Sequence, residues 1–224
     1  RESPNLIDPS SKNAQPLTGI RVLDLSGDLG VYCGKLLADV GADVIKVEHP
    51  GGDAMRRTGP FVADAAPMEN SLHWRHYNTN KRSITLNIEM SAGTDLLGKL
   101  AATADVVLES FQPGYLSAKG LGYDHLSEAN TGLVYASLTP FGQTGPYRDY
   151  RASDLVGFAM GGYMYVTGWP DTPPNKLWGL QAYQTTSNRA FIGIRLPYST
   201  AWPPAKANMW TFPCRKQWPL PLST

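Results

Sequence analysis

The chain has 224 residues, 42% apolar, 17% charged and 10% aromatic, a globular balance that excludes a disordered protein. Twenty basic against nineteen acidic residues leave a net charge of +1, so no global field draws the chain to nucleic acid or to a membrane surface. Two cysteines, Cys33 and Cys214, exclude a disulfide scaffold and a cysteine-based zinc site, and no apolar run reaches the ~18 residues of a membrane span.

Residues 1–16 form a polar lead-in with no apolar segment of the signal-peptide kind and no initiator Met, which reads as a processed chain or a fragment. Arg21–Ser26 (RVLDLS) reads as a strand. Gly30–Val40 has helical spacing, with Gly41 placed to end the helix. Asp43–Glu48 (DVIKVE) alternates as a strand, so the three segments make a β–α–β unit of a parallel sheet. Ser83–Ile88, Asp105–Glu109 and Gly132–Leu138 are further strands. Ala92–Ala104, Asp124–Asn130, Ala152–Gly162 and Gly179–Ile194 suit helices. This alternation predicts an α/β fold with a doubly wound sheet. The last thirty residues differ: Arg195–Thr224 hold no Gly, Asp or Glu, but six of the 18 prolines and three of the six tryptophans. Prolines at 197, 203, 204, 213, 219 and 221 oppose a long helix or a central strand, so this end is expected to be irregular.

In such sheets ligands sit beyond the carboxyl ends of the strands. The first turn, Ser26-Gly27-Asp28-Leu29-Gly30, resembles a dinucleotide loop but lacks G-x-G-x-x-G; Glu48 falls about where a ribose-binding acid would lie. The plain alternative is that these glycines allow close helix–strand packing. His73 and His76 stand three apart without a third ligand nearby, which favours packing or solvation over metal binding. Asn80-Lys81-Arg82 suits a phosphate contact or an exposed turn equally. The loop Phe141–Tyr147 (FGQTGPY) follows a strand, and its composition names no chemistry.

Together the segments PLTGIRVLDLS, LLADVGADVIKVEHPGGDAMR (36–56), NTNKRSITLNI (78–88), ADVVLESFQPG (104–114), GLGYDHLSEAN (120–130), LVYASLTPFGQTGPY (133–147), SDLVGFAMGGYMYVTGWPDTPP (153–174) and AYQTTSNRAFIGI (182–194) resemble, in order, the class III CoA-transferases. These are the carnitine and formyl-CoA transferases of CaiB/BaiF type. The resemblance covers about residues 16–194, with 17–194 as the amino-terminal portion of a Rossmann-like large domain. It implies CoA as the carried group with no metal, an acyl-CoA and a carboxylic acid as substrates, and interlocked homodimers; the absence of a targeting segment makes the cytoplasm the default expectation. It also implies a mechanism in which an Asp carboxylate attacks the acyl-CoA, forms a mixed anhydride and then an enzyme thioester.

Carried across by position, the CoA contacts fall on Asp28 and Leu29, His49, Leu86, Asn87, Ile88 and Glu89, Ser110, Phe111 and Gln112, and Arg151 through Asp154. Leu86, Ile88 and Phe111 have packing roles open to them as well. Ser110 stands where Asn is usual, Glu89 where Lys can meet phosphate, and Ala118 where Arg can do so; Lys119, Lys81 and Arg82 are candidates for the missing positive charge. The nucleophile position falls on Tyr183, whose phenol near ~10 is a poor substitute for a carboxylate near ~4. Asp154 falls on a second acidic position of the family, or is simply a helix-start acid. Ser153 and Tyr183 stand where the racemase branch has His and Asp, which disfavours racemisation. Two readings follow: a CoA-transferase, or a CoA-binding pseudoenzyme, partner subunit or inactive fragment.

The family's helix should continue beyond Ile194, where Arg-Leu-Pro breaks it. Reading each back-translated codon's third base with the next two turns 195–224 into AALFHGLATGEGQYVDVSMQEAVAFAAVN under permitted codon choices. Single-codon residues force four of these letters: Val from Met209-Trp210, Asp from Trp210-Thr211, and Ala from Trp202-Pro203 and from Trp218-Pro219. Residues 195–224 are therefore expected to be an out-of-frame tail.

Overall fold

A computed structural model describes residues 15–64, 69–198 and 208–214. In chain order it holds β1 (Arg21–Leu25), α1 (Val31–Asp39), β2 (Asp43–Glu48), α2 (Leu72–Tyr77), β3 (Arg82–Thr85), α3 (Ser91–Ala101), β4 (Val106–Glu109), α4 (Tyr123–Ala129), β5 (Val134–Thr139), α5 (Asp154–Met160), α6 (Gln181–Arg195) and β6 (Asn208–Pro213), with short 3-10 turns between. The six strands pair parallel in the order β3-β2-β1-β4-β5-β6. Strand order reverses between β1 and β4, the switch point of a doubly wound, Rossmann-like α/β sheet.

Alternation along the strands divides the core in two. Val22 of β1 joins a cluster with Leu37 of α1, Phe158 of α5 and Ile194 of α6. Its neighbours Leu23 and Leu25 join another, with Leu97 of α3 and Leu126 of α4. Both faces of the central strands are therefore covered, which is why β4 and β5 are buried throughout. The end of α1 follows from Gly41, at φ +100°. Its amide donates to Ala38 O (3.0 Å) and that of Ala42 to Leu37 O (3.1 Å), a pairing that requires a left-handed residue between.

Three features depart from the sequence expectation. The strand expected over Ser83–Ile88 stops at Thr85; the Leu86 amide still donates to Glu48 O (2.8 Å), and Leu86–Glu89 lie in the loop before α3. Helix α2 was not anticipated, and Ser71 starts it by accepting the Trp74 amide on its hydroxyl (3.1 Å). The proline-rich end is not wholly irregular, because Asn208–Pro213 adds a strand at the sheet edge beside β5. Its only proline, Pro213, is the last strand residue, and an edge strand tolerates a missing donor. The Phe212 ring lies so close to α6 that a Cβ at Gly193 would meet it at 2.6 Å. Pro197 lies in the 3-10 turn after α6; Pro203, Pro204, Pro219 and Pro221, and the lead-in over 1–14, lie outside the described residues. Among the described residues no helix is long and apolar enough to cross a membrane.

Candidate functional site

The loops that follow β1, β2, β3, β4 and β5 gather at the carboxyl edge of the sheet. Beneath the first of them lies a buried ionic floor. Asp24 of β1 and Lys46 of β2 point to the face covered by α1, and Lys81 reaches in from the turn before β3. Lys81 Nζ stands 2.8 Å from Asp24 Oδ2, and Lys46 Nζ 3.7 Å from Asp24 Oδ1 and 3.5 Å from Asp53 Oδ2. Burial acts to raise the Asp24 pKa, but the two ammonium groups outweigh it and hold the carboxyl below the usual range. The same groups fix the loop above: Lys46 donates to Ser26 O, and Asp24 Oδ1 accepts the Ser26 amide (2.9 Å) and hydroxyl (2.6 Å).

Two candidates for ligand charge are already engaged elsewhere. Lys81 is spent on Asp24, Val31 O (2.9 Å) and Asn78 Oδ1 (3.1 Å). Arg82 pairs with Asp43, the first residue of β2, at the opposite, amino edge of the sheet. Glu48 is not free for a ribose either. Burial acts to raise its pKa, but Arg56, the Ser83 hydroxyl and the Asp53 amide outweigh it and hold it at about 2.

The residues proposed for CoA fall into three groups. In the first loop Asp28 is half-exposed and faces His73 Nε2 (3.9 Å); its partial burial and Asp53 lift its pKa against His73 and Lys46. Leu29 is buried in the core, so only its backbone faces outward chemistry, and its carbonyl already accepts Ser187 Oγ (3.0 Å). Second, His49, Leu86, Asn87, Ile88 and Glu89 lie on adjacent loops after β2 and β3. His49 is exposed and acts electrostatically on Glu89, while Leu86 and Ile88 pack partly into the core. Asn87 Oδ1 accepts the Glu89 amide (3.0 Å). Glu89 holds Lys119 Nζ at 2.7 Å and also accepts from the Tyr115 hydroxyl. Lys119 thus lies beside the acid at 89, with its ammonium 5.0 Å from the Tyr115 ring. Third, the loop after β4 carries Ser110, Phe111 and Gln112. Phe111 stacks on Tyr115 (4.7 Å), Gln112 is exposed, and Ser110 Oγ accepts the Gly27 amide (2.8 Å), joining this loop to the first across the switch point. Arg151 is exposed just before α5.

The other side of the crevice is built by α5 and α6. The first turn of α6 has no side-chain cap of its own. Asp154, buried at the start of α5, supplies it: Oδ1 accepts the Tyr183 amide (3.0 Å), and Oδ2 lies 3.0 Å from Lys176 Nζ. Lys176 also donates to Gly179 O, tying down the turn that leads into α6. The Tyr183 hydroxyl reaches Ala152 O (3.4 Å). Burial, with the nearby Cys214, Asp154 and Asp28, pushes its pKa up to about 12, so the phenol stays protonated. His73 and His76 both pack edge-on against Tyr77, whose hydroxyl accepts from Gln184 Nε2 (2.7 Å). Sequence reasoning did not single out Lys46, Glu109, Tyr115, Gln143 or Lys176. A charged residue inside an apolar strand, as in DVIKVE and VVLE, was the available signal for the first two.

A parallel sheet whose strand order reverses between β1 and β4 defines a doubly wound α/β protein, and comparison makes the class specific. The model of CoA-transferase family III matches residues 17–196, and the chain belongs to that family. It is 37% identical over 200 residues to the succinyl-CoA:(R)-benzylsuccinate CoA-transferase subunit BbsE of Thauera aromatica, covering 89% of this chain and 49% of that protein. It is 45% identical over 165 residues to a succinate–glutarate CoA-transferase of Agrobacterium fabrum, covering 72% of this chain and 41% of that protein. The crystal structure of a CAIB/BAIF family protein from Brucella suis superposes with a TM-score of 0.80 at 34% identity, covering 91% of this chain and 54% of that one. The chain thus spans about half the length of these relatives, or less.

Proposed function

We propose that this chain is part of an enzyme that moves CoA between carboxylic acids, taking an acyl-CoA and an acceptor acid as substrates. The observation that carries this reading is the convergence of His49, Glu89, Lys119, Phe111 and Ser110 on loops at one edge of the sheet, beside the switch-point contact of Gly27 with Ser110. The side chains offer what a CoA nucleotide needs: an aromatic pair for the base and a cation for phosphate. Lys119 supplies the cation once a phosphate displaces Glu89. No metal enters this chemistry. The site is read as cytoplasmic and as working in a homodimer of full-length chains. The test is exchange of radiolabelled acyl-CoA with a panel of acceptor acids, beside a CoA titration that follows unfolding. A ligand bound only by the native state must raise its stability. Exchange with at least one acid supports the reading; the absence of both exchange and stabilisation at millimolar CoA removes it.

Tyr183 favours a second reading, a CoA-binding subunit without a nucleophile of its own. The residue at this place is a protonated phenol held to Ala152 O, and one of the relatives is itself named as a subunit. The backbone here is already fixed by Asp154. Tyr183→Asp would therefore place a carboxylate at a preset position. Exchange in the variant but not in the parent supports the subunit reading, and exchange in the parent sinks it.

A further inference from the structure

Glu109, the last residue of β4, is 5% exposed and pairs with no cation among the described residues. A carboxyl in that position costs free energy unless donors surround it. Two polar groups do, one from the loop after β4 and one from strand β5. The Phe111 amide donates to Glu109 Oε2 (2.7 Å), closing the loop after β4 onto its own strand. Ser137, the register partner of Glu109 on the neighbouring strand β5, stands beside the same carboxyl and favours its charged form. Ser137 Oγ in turn accepts Gln143 Nε2 (2.7 Å), from the glycine-rich loop after β5. On the other flank Ser110 Oγ accepts the Gly27 amide (2.8 Å) from the loop after β1. A chain of polar contacts therefore crosses three adjacent strands, β1, β4 and β5, just under the loops they carry.

We propose that Glu109 is a positioning residue that couples the two halves of the crevice, holding the Ser110–Gln112 loop and the Phe141–Tyr147 loop in one mutual arrangement through Ser137 and Gln143. This rests on the CoA-binding reading only for its consequence: ordering one loop by CoA would order the other. The assignment uses no cation, so the strength of the coupling follows the charge of Glu109 itself. Its titratable neighbour on β5 is Tyr135, whose pKa burial and Glu109 drive far upward, leaving it neutral. Burial lifts Glu109 to about 7, against the Ser137 and Phe111 donors, so its charge changes in an accessible range. Above that pH a charged acceptor holds both donors, and such bonds are the stronger ones.

The experiment is hydrogen exchange of the ligand-free 224-residue chain, resolved to peptides over 110–112 and 141–147, at several pH values and corrected for intrinsic rates. It compares the parent with Ser137→Ala, Glu109→Ala and Glu109→Gln. Coupling requires that Ser137→Ala, which lies in neither loop, lowers protection in both by several-fold. Glu109→Ala should do the same, while Glu109→Gln should hold the parent's low-pH protection at every pH and so lose the step near pH 7 seen in the parent. Loss in one loop alone, or a pH step that survives in Glu109→Gln, overturns the proposal. Adding CoA separates the two ideas: protection unchanged by CoA in every variant counts against CoA binding, while the ligand-free comparison still decides the coupling. A variant that unfolds loses protection throughout the chain, and Glu109→Gln, which keeps the shape and the acceptor, then carries the decision through its pH profile.

Discussion

The two sides of the crevice are built on different principles. On the side of β1 to β4, loops rest on a closed polar foundation: Asp24 between two lysines, Glu48 within Arg56, and Glu109 between two donors. The side of α5 and α6 holds the Asp154–Lys176 pair, and around it large apolar side chains face outward. Tyr165 is 88% exposed, Trp169 80% and Trp178 94%. The contrast shows where the described fold is self-sufficient. Charges are buried only where each has a partner in hand, whereas these aromatics contribute little to the fold as it stands.

Four outcomes would break or sharpen that contrast. The most far-reaching concerns the end of the chain, where we propose an out-of-frame reading from Arg195. Sequencing the coding DNA should show that the shifted frame is open and encodes AALFHGLATGEGQYVDVSMQEAVAFAAVN. Strand β6 occupies the positions that become YVDVSM, so correcting the frame should keep a strand there, replace Trp210 by Asp, and raise the melting temperature. A shifted frame broken by stops ends the idea. Next, Lys81→Met on the polar side leaves Asp24 with Lys46 alone, at 3.7 Å. Removing one partner of a buried pair costs about 3–5 kcal/mol, readable in urea unfolding, and a loss under about 1 kcal/mol would show that Asp24 is not held as described. Third, Glu109→Gln bears on pH. The folded carboxyl titrates at about 7 against an ordinary value near 4.5, so the native state binds the extra proton between those values. Parent stability should therefore fall as pH rises through that window. The variant, lacking the group, should gain about 3 kcal/mol on the parent between pH 4 and pH 9; parallel stability curves would refute this. Smallest of all, Trp178→Ser on the open side should shift the stability of this chain by no more than about 0.5 kcal/mol. A loss of several times that would show the indole to be packed after all.

Much of the fold was legible. Strand β2 falls on the predicted Asp43–Glu48, and the order of strands and helices follows from short β-branched runs separated by helical spacing. Helix α2 escaped because six residues rich in His, Trp and Tyr carry little periodicity, and its start depends on the Ser71 hydroxyl. Strand β6 escaped because neighbouring prolines masked the proline-free run Asn208–Phe212. The candidate residues named from the resemblance were local in sequence, but their partners were not. Asp154 holds an amide 29 positions on, and Lys81 meets an acid 57 positions earlier. Nothing in a linear reading ties Lys81 to Asp24, so its removal from the pool of ligand charges needed the three-dimensional arrangement.

The strand order also bears on how the chain is made. β1 finds β2 within a single β–α–β unit, but its other edge waits for β4: the Arg21 amide is satisfied by Asp105, 84 positions later. At synthesis rates of roughly 5–20 residues per second, that edge of β1 emerges several seconds before its partner. In that interval the apolar pair Val22 and Leu23 lies beside unpaired backbone groups, an adhesive strip on the nascent chain. The switch point that later offers a ligand crevice is thus also the seam whose two strands are furthest apart in the chain, and the interval before closure is when chaperone binding or mispairing would act.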